Sequence, residues 1–431
     1  MAAGVRWNVL PRIQQVFPKE DRALLLSSLL LQLILGLMFG HVYDQRINMA
    51  TGYLVASGQN PYIPLDLTGV FQNPAFQGMT TIGYPPPWPV LLGFIYYCSY
   101  AVLHNLLLYN LAIKLPIIGA NLGLAYLVRG VLKDCGAESA VSRKAWIFML
   151  FNPFLLYFTS AWGQFDSLVA LLTLAALVLL DRKHLVISSI LLALAISLKP
   201  TPIAVVLAVI VYLWGSPWKR LVRFMVTFTL SMLSFCVLPF LVFGWDASPI
   251  LHGWNAQFSV SGGMSLTTLY ELFKGTYQLP GNWWLLGFAW LPAILLALLW
   301  MKTGERGFVH LLKQSLAMIL IFFLTRTWLS EQNLALVLSM VLILTSLGVL
   351  PRLTLTATWV LPLIFTIFNT SPPQLLFPIL PELMVKQLQW MDIYRSARLV
   401  IRMIVVIPIH VIGWWMVVLC LRKGNPLPHE N

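Results

Sequence analysis

The chain has 431 residues, 59% of them hydrophobic and only 10% charged, whereas a soluble domain carries about 25% charged residues. Apolar runs of roughly 17 to 25 residues recur along the chain, which excludes a soluble globular protein and predicts an all-α polytopic membrane protein. The formal net charge of +13 is explained by Lys and Arg in short cytosolic loops and does not indicate a nucleic-acid partner. The four cysteines are scattered and predict neither disulfides nor a metal site.

Clusters of Lys and Arg divide the chain into spans and loops. Residues 1–22 are mixed in charge and lack a cleavage site, so we expect a cytosolic arm and not a signal peptide. Residues 23–421 then form a single transmembrane domain, and 422–431 a cytosolic tail. About twelve spans are predicted, at 23–40, 109–128, 145–161, 166–181, 185–199, 202–214, 224–243, 283–300, 312–326, 334–350, 353–368 and 399–421. Polar residues collect in the predicted external loops, chiefly 41–88, 245–282 and 369–398, which places function on the external face.

A run of prolines in the stretch TIGYPPPWP opens the apolar segment 88–107. Only one crossing fits between residues 84 and 128 if the basic stretch 129–144 is cytosolic. We therefore expect 88–107 to form a short or re-entrant helix that packs on protein. Two crossings that break the charge rule are the alternative. The prolines suit the first turn of a helix, which requires no N–H donor.

Asp44 lies just past the outer end of the first predicted span, in the stretch GHVYDQR. The residues after it predict a short amphipathic helix on the membrane surface, with Ile47, Tyr53 and Leu54 on one face. Such a helix would aim Asp44 into a cavity of the protein. A solvated loop carboxylate without function is the alternative.

Further polar residues mark breaks at the outer ends of spans. Gln164 and Asp166 follow Gly163, which permits a tight turn, and a helix N-cap is the alternative role for Asp166. Lys199 precedes a Pro-x-Pro break, where an ammonium group suits a lipid phosphate. A lysine that snorkels to the interface is the alternative. Arg326 is a second cation at this boundary, with an ion pair to Glu331 as the alternative.

Four aromatic residues lie beside this polar set and could stack on a sugar: Tyr84, Trp88, Trp162 and Trp328. An interfacial belt is the general explanation for the many Trp and Tyr residues. A carboxylate beside a phosphate site is what glycosyl transfer requires. The carboxylate accepts the proton of the acceptor hydroxyl, and cations stabilise charge on the departing phosphate.

Four motifs occur in one order within residues 41–202. In the first motif, Asp44 precedes the element Gly58-x-x-Pro61-Tyr62 by fourteen residues. The second is Tyr84-Pro85-Pro86, and the third is Asn152-Pro153 followed by Gly163-Gln164-Phe165-Asp166. The fourth is Lys199-Pro200-Thr201-Pro202. This order resembles that of the multispanning GT-C glycosyltransferases, and most nearly the GPI mannosyltransferase I family and related prokaryotic mannosyltransferase-like proteins. The C-terminal half resembles them only in topology and in the polar patch 325–333.

By this resemblance the chain would have a GT-C-like fold and transfer a hexose, with mannose the first candidate. The donor would be a polyprenyl-phosphate sugar and the acceptor a lipid-linked sugar or glycan, with inversion. Asp44 would be the general base, and Lys199 and Arg326 would bind the donor phosphate. The residues that would bind sugar or acceptor are Gln164, Asp166, Tyr84 and Trp162.

The resemblance implies no cofactor. The eukaryotic relatives carry two acids at the first position, whereas this chain carries Asp44 alone, which argues against a tightly bound divalent metal and leaves a metal requirement open. A small membrane partner subunit also stays open. The compact chain without a retrieval signal favours a bacterial or archaeal plasma membrane over the endoplasmic reticulum.

Two other classes of membrane protein are considered. A transporter or flippase for lipid-linked sugars would show a repeat between its halves and broken helices at mid-membrane, and the sequence shows no convincing repeat. An oligosaccharide ligase or polymerase would depend on external Arg pairs without the early Asp and Tyr-Pro-Pro series. These classes remain the alternatives to a glycosyltransferase.

Overall fold

The structure is a computed structural model that describes residues 19–78, 81–257, 259–276, 278–281, 283–301, 307–370, 372–380 and 393–422. Several predicted features lie outside the described residues. These are the arm before Lys19, the tail after Arg422, the basic residues Lys302 and Arg306, and much of the external loop 369–398.

Helices make up most of the described chain. Those of ten or more residues are α1 (Lys19–Met38), α2 (Val42–Ala56), α3 (Pro87–Cys98), α4 (Leu106–Asp134), α5 (Ser139–Phe151), α6 (Asp166–Asp181), α7 (Leu185–Leu198), α8 (Ile203–Trp214), α9 (Trp218–Cys236), α10 (Ser248–Gln257), α11 (Trp290–Trp300), α12 (Phe308–Leu324), α13 (Leu334–Ser346), α14 (Arg352–Asn369) and α15 (Arg395–Leu421). Shorter helical segments are Thr68–Phe71, Pro74–Phe76, Tyr100–Leu103, Pro153–Leu155, the π-helix Leu156–Ala161, Leu238–Phe243, Thr268–Lys274, Trp283–Phe288, Glu331–Asn333 and Pro372–Leu375. Strands β1 (Gly262–Gly263) and β2 (Trp328–Leu329) pair in parallel.

The number of membrane spans differs from the prediction. Within the described residues, five helical segments are long and apolar enough to cross a membrane: Lys19–Met38, Leu106–Asp134, Trp218–Phe243, Arg352–Asn369 and Arg395–Leu421. A sixth candidate is the pair Ser139–Ala161 and Asp166–Asp181, bent by 116°. Six other apolar helices have 10–17 residues, and at about 1.5 Å per residue they fall short of the ~30 Å hydrocarbon core. The prediction of an all-α polytopic protein is confirmed. The predicted number of about twelve full spans is not confirmed, although each predicted range overlaps a helix.

Three of the basic clusters predicted as cytosolic meet at one end of the helices. Arg143 Nε donates to Asp21 Oδ1 at 2.7 Å, and Arg129 Nη2 lies 2.8 Å from Asp21 Oδ2. Arg182, after α6, pairs with Asp134 at the end of α4. These contacts bring the start of α1, the end of α4 and the end of α6 together. The end of α1, which shortly precedes Asp44, and the start of α6 at Asp166 therefore lie at the opposite end of these helices.

Helix α2 follows the predicted position but not the predicted placement. Gln45, Asn48 and Thr51 are buried along with Met49 and Leu54, so the helix has no polar face open to water. Its polar side chains are satisfied inside the protein by hydrogen bonds. The predicted helix is confirmed, but an amphipathic helix on the membrane surface is not, because a surface helix leaves its polar face to solvent.

The proline run opens α3 as predicted. Pro86 is the N-cap, Pro87 is the first helical residue, and the next residue, Trp88, is buried. Trp88 Nε1 donates to Asn48 Oδ1 at 3.1 Å, and its ring stacks on Phe165 at 4.2 Å. The 12 residues of α3 extend about 18 Å, which is too short for a full crossing. The short helix after the prolines is therefore confirmed. Through Trp88, this helix contacts both α2 and the turn before α6.

Gly52 marks the close approach of α2 to α3 and α4. A Cβ at this position would lie 2.8 Å from Leu92 O and still closer to the Tyr109 hydroxyl. We expect Gly52→Ala to destabilise the protein by about 1–3 kcal/mol, measured as a lower melting temperature in detergent. Gly119→Ala in α4 meets no atom within 4 Å and is the matched control, because Ala is the better helix former. Equal melting temperatures for the two variants would contradict this packing.

Candidate active site

Asp44 lies in the first turn of α2 and is held by residues from two other segments. Trp162 Nε1 donates to Asp44 Oδ2 at 2.6 Å, and His41 Nδ1 lies 3.1 Å from the same oxygen. The Gln164 side chain also favours the ionised form of this carboxylate. The Asp44 side chain is still 25% exposed. The carboxylate is therefore fixed in orientation and remains reachable by a ligand.

His41 connects the segments around Asp44. It is the N-cap of α2, and its backbone N–H donates to Trp162 O at 3.1 Å. Its ring stacks on the Trp162 indole with centroids 4.0 Å apart, and Nε2 lies 3.0 Å from Gln374 Oε1. The sequence analysis missed His41 and Gln374. A signal for His41 was present, since a polar residue three positions before Asp44 fits the N-cap of the helix.

The electrostatic environment keeps Asp44 ionised. Burial alone would raise the pKa of Asp44, but the hydrogen bond and charge of His41 and the hydrogen bonds of Trp162 and Gln164 outweigh it. The pKa of Asp44 therefore lies below its ordinary value of 3.8. At neutral pH the group is a carboxylate, the form that accepts a proton.

The turn that carries Trp162 and Gln164 depends on Gly163. The π-helix Leu156–Ala161 precedes this turn. Just before the π-helix, Asn152 Oδ1 accepts a hydrogen bond from Leu155 N at 3.1 Å. Gly163 has φ +101°, and a Cβ there would lie 2.6 Å from Gln45 Nε2, so both conformation and space require glycine. The predicted tight turn is confirmed.

Asp166 and Lys199 form a buried ion pair. Lys199 Nζ donates to Asp166 Oδ1 at 2.7 Å and to Oδ2 at 2.8 Å, and the two side chains are 8% and 1% exposed. Phe165, not Asp166, is the N-cap of α6. Asp166 is the first residue of the helix, and its carboxylate accepts a hydrogen bond from its own backbone N–H. The alternative for Lys199 is wrong, because this side chain is bound inside the protein and does not extend to the interface.

Tyr84 joins this ion pair to Asp44. Lys199 Nζ lies 5.6 Å from the centroid of its ring. Burial, with the negative charges of Asp44 and Asp166, raises the pKa of the Tyr84 phenol well above its ordinary value. Tyr84 therefore stays protonated as a donor within electrostatic range of both acids. Trp162, in contrast, is only 4% exposed behind Asp44 with one face against His41, and its predicted contact with a sugar stays a prediction.

Arg326 makes no contact with this cluster among the residues that the structure describes. Its guanidinium lies 5.0 Å from the Phe322 ring centroid, and its carbonyl accepts a hydrogen bond from Ser265 Oγ at 2.6 Å. The predicted alternative, a pair with Glu331, is wrong, because Glu331 accepts from Asn369 Nδ2 at 2.7 Å. Burial lowers the pKa of Arg326, and in the described ranges no carboxylate pairs with it.

Buried polar side chains of α4 support the site from behind. Lys114 Nζ donates to Phe39 O and, at 2.8 Å, to Ala161 O. Asn110 Nδ2 donates to Gly36 O at 2.7 Å and to Phe39 O at 2.8 Å. These donors satisfy carbonyls at the ends of α1 and the π-helix, which have no partner within their own helix. The sequence analysis missed both residues, although polar residues four apart in an apolar run are the signal for such a role.

The structure thus brings Asp44, Trp162 and Gln164 into direct contact, with Tyr84, Asp166 and Lys199 adjoining them. Only Arg326, of the predicted site residues, stays apart. Within the described ranges, no three His, Cys, Asp or Glu side chains come together where they could hold a metal ion, and the question of a metal requirement stays open.

Comparison with known proteins identifies the family. No curated protein matches the chain, and similarity to the GPI mannosyltransferase I family is not shown. The model of Glycosyltransferase family 87 matches residues 83–343, which is more than half of the chain and includes Tyr84, the Gly163 turn, Lys199 and Arg326. The chain therefore belongs to Glycosyltransferase family 87 and is a membrane glycosyltransferase.

Proposed function

We propose that this enzyme transfers a hexose from a polyprenyl-phosphate donor to a lipid-linked or glycan acceptor at the external face of the membrane. Transfer inverts the anomeric centre, and Asp44 is the general base. The observation that carries the proposal is the Asp44 carboxylate, which accepts a hydrogen bond from Trp162 Nε1, lies 3.1 Å from His41 Nδ1, is partly exposed and is ionised at neutral pH. Mannose is the first sugar to test.

In the proposed reaction the acceptor oxygen attacks the anomeric carbon while its proton passes to Asp44. The bond between that carbon and the phosphate oxygen breaks, and its electron pair leaves with the polyprenyl phosphate. The attack comes from the side opposite the leaving group, which inverts the configuration. His41 and Trp162 hold the carboxylate through this step without contacting the reacting atoms themselves.

Lys199 and Arg326 are proposed to bind the departing phosphate. An ammonium group has three donors, of which Lys199 uses two on Asp166, so one N–H is available for a phosphate oxygen. Arg326 has no carboxylate partner in the described part of the chain, and its planar donors match a phosphate. Tyr84, Gln164 and Asp166 are proposed to bind hydroxyls of the sugar or acceptor, since Gln164 acts on the Asp44 carboxylate and both acids act on the Tyr84 phenol.

The pH dependence of transfer tests the environment of Asp44. His41→Gln removes the imidazole that lowers the pKa of Asp44, and the burial that remains raises this pKa. The base must be ionised, and the acid limb of kcat/KM should therefore move to higher pH. His252→Gln, at an exposed position, is the control and should keep the wild-type profile. An unmoved limb in His41→Gln would show that His41 does not tune the base.

The donor class is tested with purified protein in lipid nanodiscs. Radiolabelled polyprenyl-phosphate sugars and nucleotide sugars are supplied separately, with crude bacterial or archaeal membrane lipids as acceptors. We expect label to move only from a polyprenyl-phosphate sugar to a new lipid or glycan. Transfer from a nucleotide sugar alone would overturn the donor class. A donor that crosses the bilayer without transfer would instead favour a transporter.

A further inference from the structure

A cavity of about 370 Å³ opens at the end of the helices opposite Asp44. It is enclosed by the end of α6, the start of α7, the end of α8 and the start of α9. Helix α6 begins at Asp166 in the candidate active site and ends at Asp181 in the cavity wall. Its 16 residues separate the two places by about 24 Å. The cavity is thus a distinct site.

The wall of this cavity is strongly basic. One carboxylate, that of Asp181, accepts a hydrogen bond from the Tyr212 hydroxyl at 3.0 Å. Four cationic side chains line the cavity: Lys183, Lys219, Arg220 and Arg223. In the part of the chain that the structure describes, none of the four forms an ion pair. The excess positive charge is therefore available to an anion.

The surroundings indicate where this anion comes from. Trp214 and Trp218 directly adjoin the lining residues Leu213 and Lys219 in sequence and are 68% and 69% exposed. Trp is enriched at membrane–water interfaces. Directly after the basic turn, α9 exposes Val222, Val226 and Leu230, an apolar surface suited to lipid tails. Basic side chains that sit between aromatic anchors and an apolar helix face lie at the depth of lipid headgroups.

We propose that this cavity binds the phosphate group of an anionic membrane lipid. The Lys and Arg donors contact the phosphate oxygens, while the acyl chains lie along the exposed face of α9. A volume of about 370 Å³ accommodates a glycerophosphate headgroup. The proposal is independent of the donor, acceptor and base assigned to the transfer reaction.

The test is native mass spectrometry of the full chain in detergent, titrated with phosphatidylglycerol or with phosphatidylcholine. We expect the wild type to prefer phosphatidylglycerol and the variant Lys219→Gln/Arg220→Gln to bind it roughly thirtyfold more weakly. The control Lys144→Gln/Arg352→Gln removes two exposed cations outside the cavity and should keep wild-type affinity. Arg223→Gln is a second cavity variant in case the first fails to fold.

Two outcomes would overturn the proposal. Equal binding of phosphatidylglycerol by the wild type and both cavity variants would show that the cations do not form a lipid site. Displacement of the lipid by an equal concentration of inorganic phosphate would show that the cavity is a site for a free phosphate. Retention of the lipid under excess inorganic phosphate, with loss in the variants, supports a lipid headgroup site.

Discussion

Asp44→Asn is expected to reduce sugar transfer by a factor of roughly 10² to 10⁴, the usual contribution of a general base. The amide has the shape of the carboxylate and can still accept the hydrogen bond from Trp162, but it cannot take a proton from the acceptor. The fall should appear in kcat more than in the KM for the donor, because the residues proposed to bind the donor phosphate are Lys199 and Arg326 and not Asp44. Initial rates of label transfer in nanodiscs measure both quantities.

Asp66→Asn is the matched control for this variant. Asp66 lies in the segment between α2 and α3 and accepts hydrogen bonds from Thr68 N at 2.9 Å and Thr68 Oγ1 at 2.6 Å. It is exposed, so its replacement should leave transfer unchanged. Wild-type rates in Asp44→Asn would remove Asp44 from the role of base and direct attention to Asp166.

The helices could be predicted from the sequence because local signals determine them. Asn105 caps α4, the prolines at 86 and 87 start α3, and Gly163 makes the turn before α6. The number of full spans could not be predicted in this way. Helix α8, for example, is as apolar as a membrane span but has only 12 residues. The apolar composition of a segment therefore does not tell whether its helix is long enough to cross the membrane.

The sequence pointed to single residues of this cluster but not to the contacts between them. Single positions in helix breaks pointed to Asp44, Asp166 and Lys199, yet the contact between Asp166 and Lys199 joins residues 33 positions apart and follows only from the packing of α6 on α7. His41 was missed for a different reason. Its role depends on Trp162 and Gln374, which reach it from distant parts of the chain.

Hydrogen bonds behind the site explain how a membrane protein keeps a charged site ordered. Lys114 and Asn110 fix the ends of α1 and of the π-helix, and these two ends carry His41 and Trp162. Buried polar groups without partners cost several kcal/mol each in lipid surroundings. The network therefore stabilises the fold and at the same time determines the orientation of Asp44, so stability and geometry of the site depend on the same hydrogen bonds.

Lys199→Met is expected to lower the free energy of unfolding by about 3–5 kcal/mol, because it leaves the Asp166 carboxylate buried without a partner. Thermal unfolding in detergent measures this loss. The control is Arg182→Gln, which breaks a pair whose side chains are 55% and 57% exposed and should cost less than about 1 kcal/mol. A loss in Lys199→Met no larger than in this control would contradict the buried pair.

The double variant Asp166→Leu/Lys199→Met separates stability from catalysis. It removes both charges and should recover most of the lost stability, since a buried pair replaced by apolar side chains is often tolerated. Transfer should nevertheless stay low, with a raised KM for the donor, because the phosphate has lost its ammonium partner. A double variant with wild-type stability and wild-type transfer would show that the pair only joins α6 to α7. Arg326 would then be the remaining candidate for the donor phosphate, and its own substitution by Gln would have to raise the donor KM.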